Sequence, residues 1–144
     1  MGKKKVVQKL GDTGVEEKVK AAGSAGISKR IDSGTVYVNA TYNNTVITVA
    51  DLDGNVLAWS SAGALGFSGP KKATPFAASK IVAALAEKMK KSGPLNISIV
   101  VKGVGSGRDS VIRTFAAQGF NILSIKDATP IPHNGPRPPK VRRV

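Results

Sequence analysis

A nearly continuous apolar run, "LNISIVVKG" at positions 95–103, stands between two stretches of helical periodicity. That placement restricts the fold more than any other feature of the chain. A nearly continuous apolar run suits a buried strand, and parallel strands are the ones usually buried in this way. Parallel pairing needs crossover connections, which flanking helices can supply. Upstream, Ile81, Val82, Leu85 and Met89 recur at helical spacing. Thr74 suits the N-cap and Pro75 the first helical position. Lys88, Lys90 and Lys91 suit the negative end of that helix's dipole, and Gly93-Pro94 ends it. Downstream, Val111, Ile112, Phe115 and Ala116 give a second helix its apolar face, and Gly119 closes it. Ser106 and Asp109 have the spacing of a capping box at its start.

Ahead of this unit the period changes to two. "TVYVNATYNN" and "TVITVAD" alternate and are rich in β-branched residues, and "LDGN" places Asp53-Gly54 at a tight turn. "VLAWSSAG" completes a three-stranded antiparallel meander, and "FNILSIKD" is the last strand. The order β-β-β-α-β-α-β predicts an α/β protein with one five-stranded mixed sheet covered by helices, in a ribonuclease-H-like layout. The expected organisation is a basic N-terminal extension at 1–34, an α/β core domain at 35–127 and a Pro/Arg-rich RNA-binding tail at 128–144.

Charge narrows the function. The chain carries 22 basic and 9 acidic residues, a net charge of +13, which favours a polyanionic partner and nucleic acid first. The excess is densest in the closing stretch "TPIPHNGPRPPKVRRV", with five prolines, four cations and no acid. Its prolines preset an extended, polyproline-like course, and at ~3.1 Å per residue the tail could reach ~50 Å. With no cysteine and one histidine, disulfides, thiolate catalysis, cysteine-bound zinc and a multi-histidine metal site are excluded. No apolar run approaches ~18 residues, and the start lacks the apolar stretch of a secretory signal. The chain therefore reads as cytosolic, without membrane contact.

Two glycine-rich segments invite comparison with nucleotide-binding loops. "KGVGSGRDS" follows a strand and opens a helix, but its G-x-G-x-G spacing departs from the dinucleotide pattern. A backbone-amide site for an RNA phosphate, assisted by Arg108, uses the same helix-start physics. Its glycines also allow close helix–sheet packing. "GFSGPKKAT" lacks the Gly-Lys-Ser/Thr of a P-loop, and Lys71 and Lys72 are expected on phosphates. Nuclease chemistry needs converging carboxylates. Asp51 and Asp53 share one hairpin turn, while Glu87, Asp109 and Asp127 lie elsewhere. No enzyme activity and no cofactor are expected. Tyr37, Tyr42 and Trp59 fall in predicted strands and read as core or cross-strand packing. Aromatics are 5% of residues, which favours recognition of RNA backbone and shape over base stacking.

The segments "NNTVITVAD", "GFSGPKKATPFAA", "VKGVGSGRDSVIR" and "DATPIPHNGPRPPKVRRV" resemble the universal eleventh protein family of the small ribosomal subunit, in its bacterial branch. The resemblance covers about residues 30–144. It implies a structural, non-catalytic protein on the subunit platform that bridges helices of small-subunit ribosomal RNA. It implies the seventh and eighteenth small-subunit proteins as neighbours, messenger RNA nearby, and no homo-oligomer. Carried over by position, RNA contacts fall on Lys71, Lys72, Arg108, His133, Asn134, Arg137, Lys140, Arg142 and Arg143. Ser68 and Pro70 depart from the family's usual basic residue and serine, and Pro136 replaces a small residue.

Overall fold

The computed structural model describes residues 31–90 and 93–141. Strands β1 (Ser33–Ala40), β2 (Thr45–Asp51) and β3 (Val56–Ser61) come first, followed by helix α1 (Pro75–Met89), strand β4 (Asn96–Lys102), helix α2 (Gly107–Ala117) and strand β5 (Asn121–Asp127). They form one five-stranded sheet in the order β3-β2-β1-β4-β5. β2 runs antiparallel to β1 and β3, whereas β1, β4 and β5 are mutually parallel neighbours. The mixed α/β sheet expected from the periodicity is present, and its apolar run forms β4, with a parallel neighbour on each side.

Local chemistry sets the element ends. In the second hairpin the Gly54 amide donates to the Asp51 carbonyl at 3.1 Å and the Asp51 amide to the Asn55 carbonyl at 2.9 Å. The Ala77 amide donates to Thr74 Oγ1 at 3.3 Å, so Thr74 caps α1 with Pro75 in its first turn. Such a cap contributes ~1 kcal/mol. At the other end the Gly93 amide donates to the Met89 carbonyl at 2.8 Å.

The core lies on one face of the sheet. Val36 and Val38 of β1, Ile47 and Val49 of β2, and Ile97, Ile99 and Val101 of β4 pack with Ile81, Val82 and Leu85 of α1 and Val111 and Phe115 of α2. Burying each such side chain contributes ~1.5–3 kcal/mol.

Three expectations change. The helices cover one face only: the alternate residues Tyr37, Asn39, Trp59 and Lys102 are exposed on the other. Parallel pairing of β4 thus comes with one face covered, and Ser98 and Val100 are only half-buried. Ala116 is exposed, because one turn beyond Ile112 the short helix has rotated it off the core. The capping box does not form. Ser106 already has helical angles (φ −68°, ψ −11°) and makes no side-chain cap bond; its hydroxyl donates instead to the Ala73 carbonyl at 2.9 Å. The connection after β3 holds 3-10 turns at Gly63–Leu65 and Gly69–Ala73.

Candidate nucleic-acid interface

Three features gather at the end of the sheet where β4 and β5 finish. This is the end at which open α/β sheets generally bind ligands. The first is the 3-10 turn Gly69–Ala73, which holds Lys71 and Lys72 directly ahead of the N-terminus of α1. Lys71 is exposed and Lys72 half-buried. The Ser106 hydroxyl ties the last residue of this turn to the start of α2. The N-termini of both helices therefore lie close together, and each presents the positive end of its dipole.

The second feature is the loop between β4 and α2. Gly103 has φ +102°, and a Cβ there would collide with the Ala40 carbonyl oxygen. The Gly105 amide donates to the same oxygen at 2.9 Å. The glycines thus let the loop lie directly on the end of β1. Close packing accounts for them without any ligand.

The third feature is the root of the tail. Arg108 Nη1 donates to the Gly103 carbonyl at 2.7 Å, and Nη2 to Asp127 Oδ2 at 2.5 Å. The second oxygen of Asp127 accepts from the Thr129 amide at 2.9 Å and from the Thr129 hydroxyl at 2.6 Å. That hydroxyl in turn accepts from the Gly103 amide at 3.2 Å, and the Ala128 amide donates to the Val101 carbonyl at 2.8 Å. Hydrogen bonding from the Thr129 hydroxyl, then from Arg108, and then from the Thr129 amide lowers the Asp127 pKa from 3.8 to about 2. Two N–H groups of Arg108 are thus engaged within the chain and its charge is paired with Asp127, while its side chain stays 31% exposed at the surface.

Beyond Thr129 the described tail has no regular secondary structure and is exposed throughout. Its course is not the straight rod that the prolines suggest. The chain bends at His133–Asn134, where Asn134 takes the left-handed region at φ +53°. Asparagine is among the few residues that tolerate this conformation. Arg137 and Lys140 follow the bend in extended chain, while Arg142 and Arg143 lie outside the described residues.

The structure therefore brings Lys71, Lys72, Arg108 and the tail root to one end of the sheet. His133, Asn134, Arg137 and Lys140 stand farther out along the tail. Sequence reasoning missed Asp127 and Thr129 as the tail's anchor. The local part was available, because an aspartate accepting from the amide two residues on is an Asx turn. Of the two roles expected for Tyr37 and Trp59, the core role fails, since they are 46% and 59% exposed on the open face, while both do lie opposite Thr48 as cross-strand neighbours.

Among the described residues, no group of three or more His, Asp or Glu is placed to hold a metal ion, and no helix is long and apolar enough to cross a membrane. Fold and charge together define a small basic α/β protein with Lys71, Lys72 and Arg108 at one end of the sheet and further cations along a tail. Residues 34–143 match the family model described as ribosomal protein S11, and the chain belongs to that family. Membership makes it a small-subunit ribosomal protein that binds ribosomal RNA and serves translation, in a family that is structural rather than enzymatic.

Proposed function

We propose that this chain sits on the platform of the small subunit and bridges separate helices of its ribosomal RNA, near the cleft where messenger RNA exits. In this reading the layout is ribonuclease-H-like without catalysis, and the strand order β3-β2-β1-β4-β5 supports it. Residues 35–127 are the folded core, and the tail from residue 128 is the principal RNA-binding element. Lys71, Lys72, His133, Asn134, Arg137, Lys140, Arg142 and Arg143 meet RNA. Arg108 contributes by holding the tail root and offers its remaining N–H groups to phosphate. The seventh and eighteenth small-subunit proteins are the neighbours, and the chain acts as a monomer within the subunit.

The observation that carries the reading is the anchored root. An acid-free cationic tail leaves the sheet through the Arg108–Asp127–Thr129 network, beside the Lys71–Lys72 turn. Cations on RNA release condensed counterions, so affinity must fall steeply with salt. For six or so phosphate contacts the loss is on the order of 10³-fold between ~50 and ~200 mM salt. Removal of residues 129–144 should leave the core folded, flatten that salt dependence and impair incorporation into the small subunit. Normal incorporation of the shortened chain, or salt-insensitive binding of the full one, overturns the reading.

A further inference from the structure

The uncovered face of the sheet carries an organised row of side chains. Pairing places Trp59 of β3 opposite Thr48 of β2, Thr48 opposite Tyr37 of β1, Tyr37 opposite Val100 of β4, and Val100 opposite Lys126 of β5. One line thus crosses all five strands, with an exposed tryptophan at one end, an exposed tyrosine at the centre and a lysine at the other end. With strands ~4.8 Å apart, the two aromatic residues are separated by two strand spacings, ~10 Å. A parallel row beside it runs Ser61–Val46–Asn39–Lys102. Between the rows lies a shallow depression of about 380 Å³ lined by Tyr37, Thr48, Val46, Asn39, Val100 and Lys102. Neither row contains a carboxylate.

We infer that this face is a platform for unpaired RNA bases, separate from the phosphate-binding tail. Aromatic residues on an exposed sheet stack bases, and this mode tolerates any base because every base has a π-face. Thr48, Asn39 and Ser61 supply donors and acceptors for base edges. Lys102 and Lys126 meet the backbone that must run beside stacked bases. Charge decides between RNA and a protein segment as the occupant: the rows hold two cations and no acid, and their aliphatic members are two valines rather than the leucine and isoleucine cluster of a protein-docking face. The inference rests on the chain being a ribosomal RNA-binding protein and adds a second surface and a second mode of contact.

Trp59 is the chain's one tryptophan, so its fluorescence reports on this face alone. The full chain should be titrated with a short unstructured oligouridylate and with an abasic strand of equal length and charge. The base-bearing strand is expected to quench Trp59 emission, and the abasic strand to leave it unchanged. Tyr37→Phe should keep the binding, whereas Tyr37→Ala should weaken it roughly five- to hundredfold with the thermal unfolding transition retained. Equal quenching by both strands would reduce the face to phosphate contact and overturn the inference. So would Trp59 emission that no oligonucleotide changes but a neighbouring small-subunit protein shifts. Filter retention of ribosomal RNA by the full chain and by the chain ending at residue 128 is measured in parallel. Tail-dependent retention with a silent Trp59 overturns the platform and leaves the proposed function standing; loss of both overturns both.

Discussion

Tyr37 and Val38 are adjacent in β1, yet Val38 is 1% exposed and Tyr37 46%. The same contrast repeats along β4, where Ile97, Ile99 and Val101 are buried and Lys102 is exposed. One strand period serves two environments. On the covered face each residue is held by shape, because helices α1 and α2 fill the space above it. On the open face no element of the described chain imposes a volume, and side-chain chemistry is free to match a partner. Stability and recognition are therefore divided between the faces, at a cost of one residue in every two.

Substitutions on the two faces test that division. The largest effect is expected from Ile99→Ala, which leaves a cavity beneath both helices and should cost ~2–5 kcal/mol in denaturant unfolding. Next is Gly103→Ala. It places a methyl group against the Ala40 carbonyl at a left-handed φ and should cost ~1–3 kcal/mol by the same measurement, while loosening the loop that carries Arg108. Thr74→Ala removes the α1 cap and should cost ~1 kcal/mol. Tyr37→Ala, on the open face, should cost less than ~1 kcal/mol. A Tyr37→Ala cost matching that of Ile99→Ala would erase the distinction between the faces.

The smallest effect is a pH dependence at the tail root. Asp127 has its pKa lowered from 3.8 to about 2 in the folded chain. A depressed carboxylate pKa favours the folded arrangement fully above pH ~4, and that preference is lost as pH falls through about 2. The Thr129 amide resonance should titrate with that midpoint. In Asp127→Asn it should not titrate, and the tail root should become more accessible to proteases at neutral pH.

Elements with local causes were legible before the fold was known. The Asp53-Gly54 turn, the Thr74-Pro75 helix start and the apolar face of α1 each depend on residues within a turn or two. What was not legible depends on partners far along the chain. Ser106 spends its hydroxyl on Ala73, 33 positions away, so the capping-box spacing was satisfied in sequence and unused in space. Arg108 meets Asp127 across 19 positions, an internal partner that no local pattern announces. The exposure of Tyr37 and Trp59 follows from both helices packing on one side, and strand alternation alone cannot say which side is left bare.

The bond from Ser106 to Ala73 has a consequence for binding kinetics. It joins the Lys71–Lys72 turn to the helix whose Arg108 holds the tail root, so the basic groups at this end keep fixed separations. On the proposed RNA they would act as a chelating ligand acts on a metal. In the proposed mode of binding, once one group has found a phosphate, the next would meet its own at an effective concentration in the millimolar range. Dissociation then requires several contacts to open together. Severing one hydroxyl bond, as in Ser106→Ala, should therefore raise the off-rate on ribosomal RNA while the number of cations stays the same.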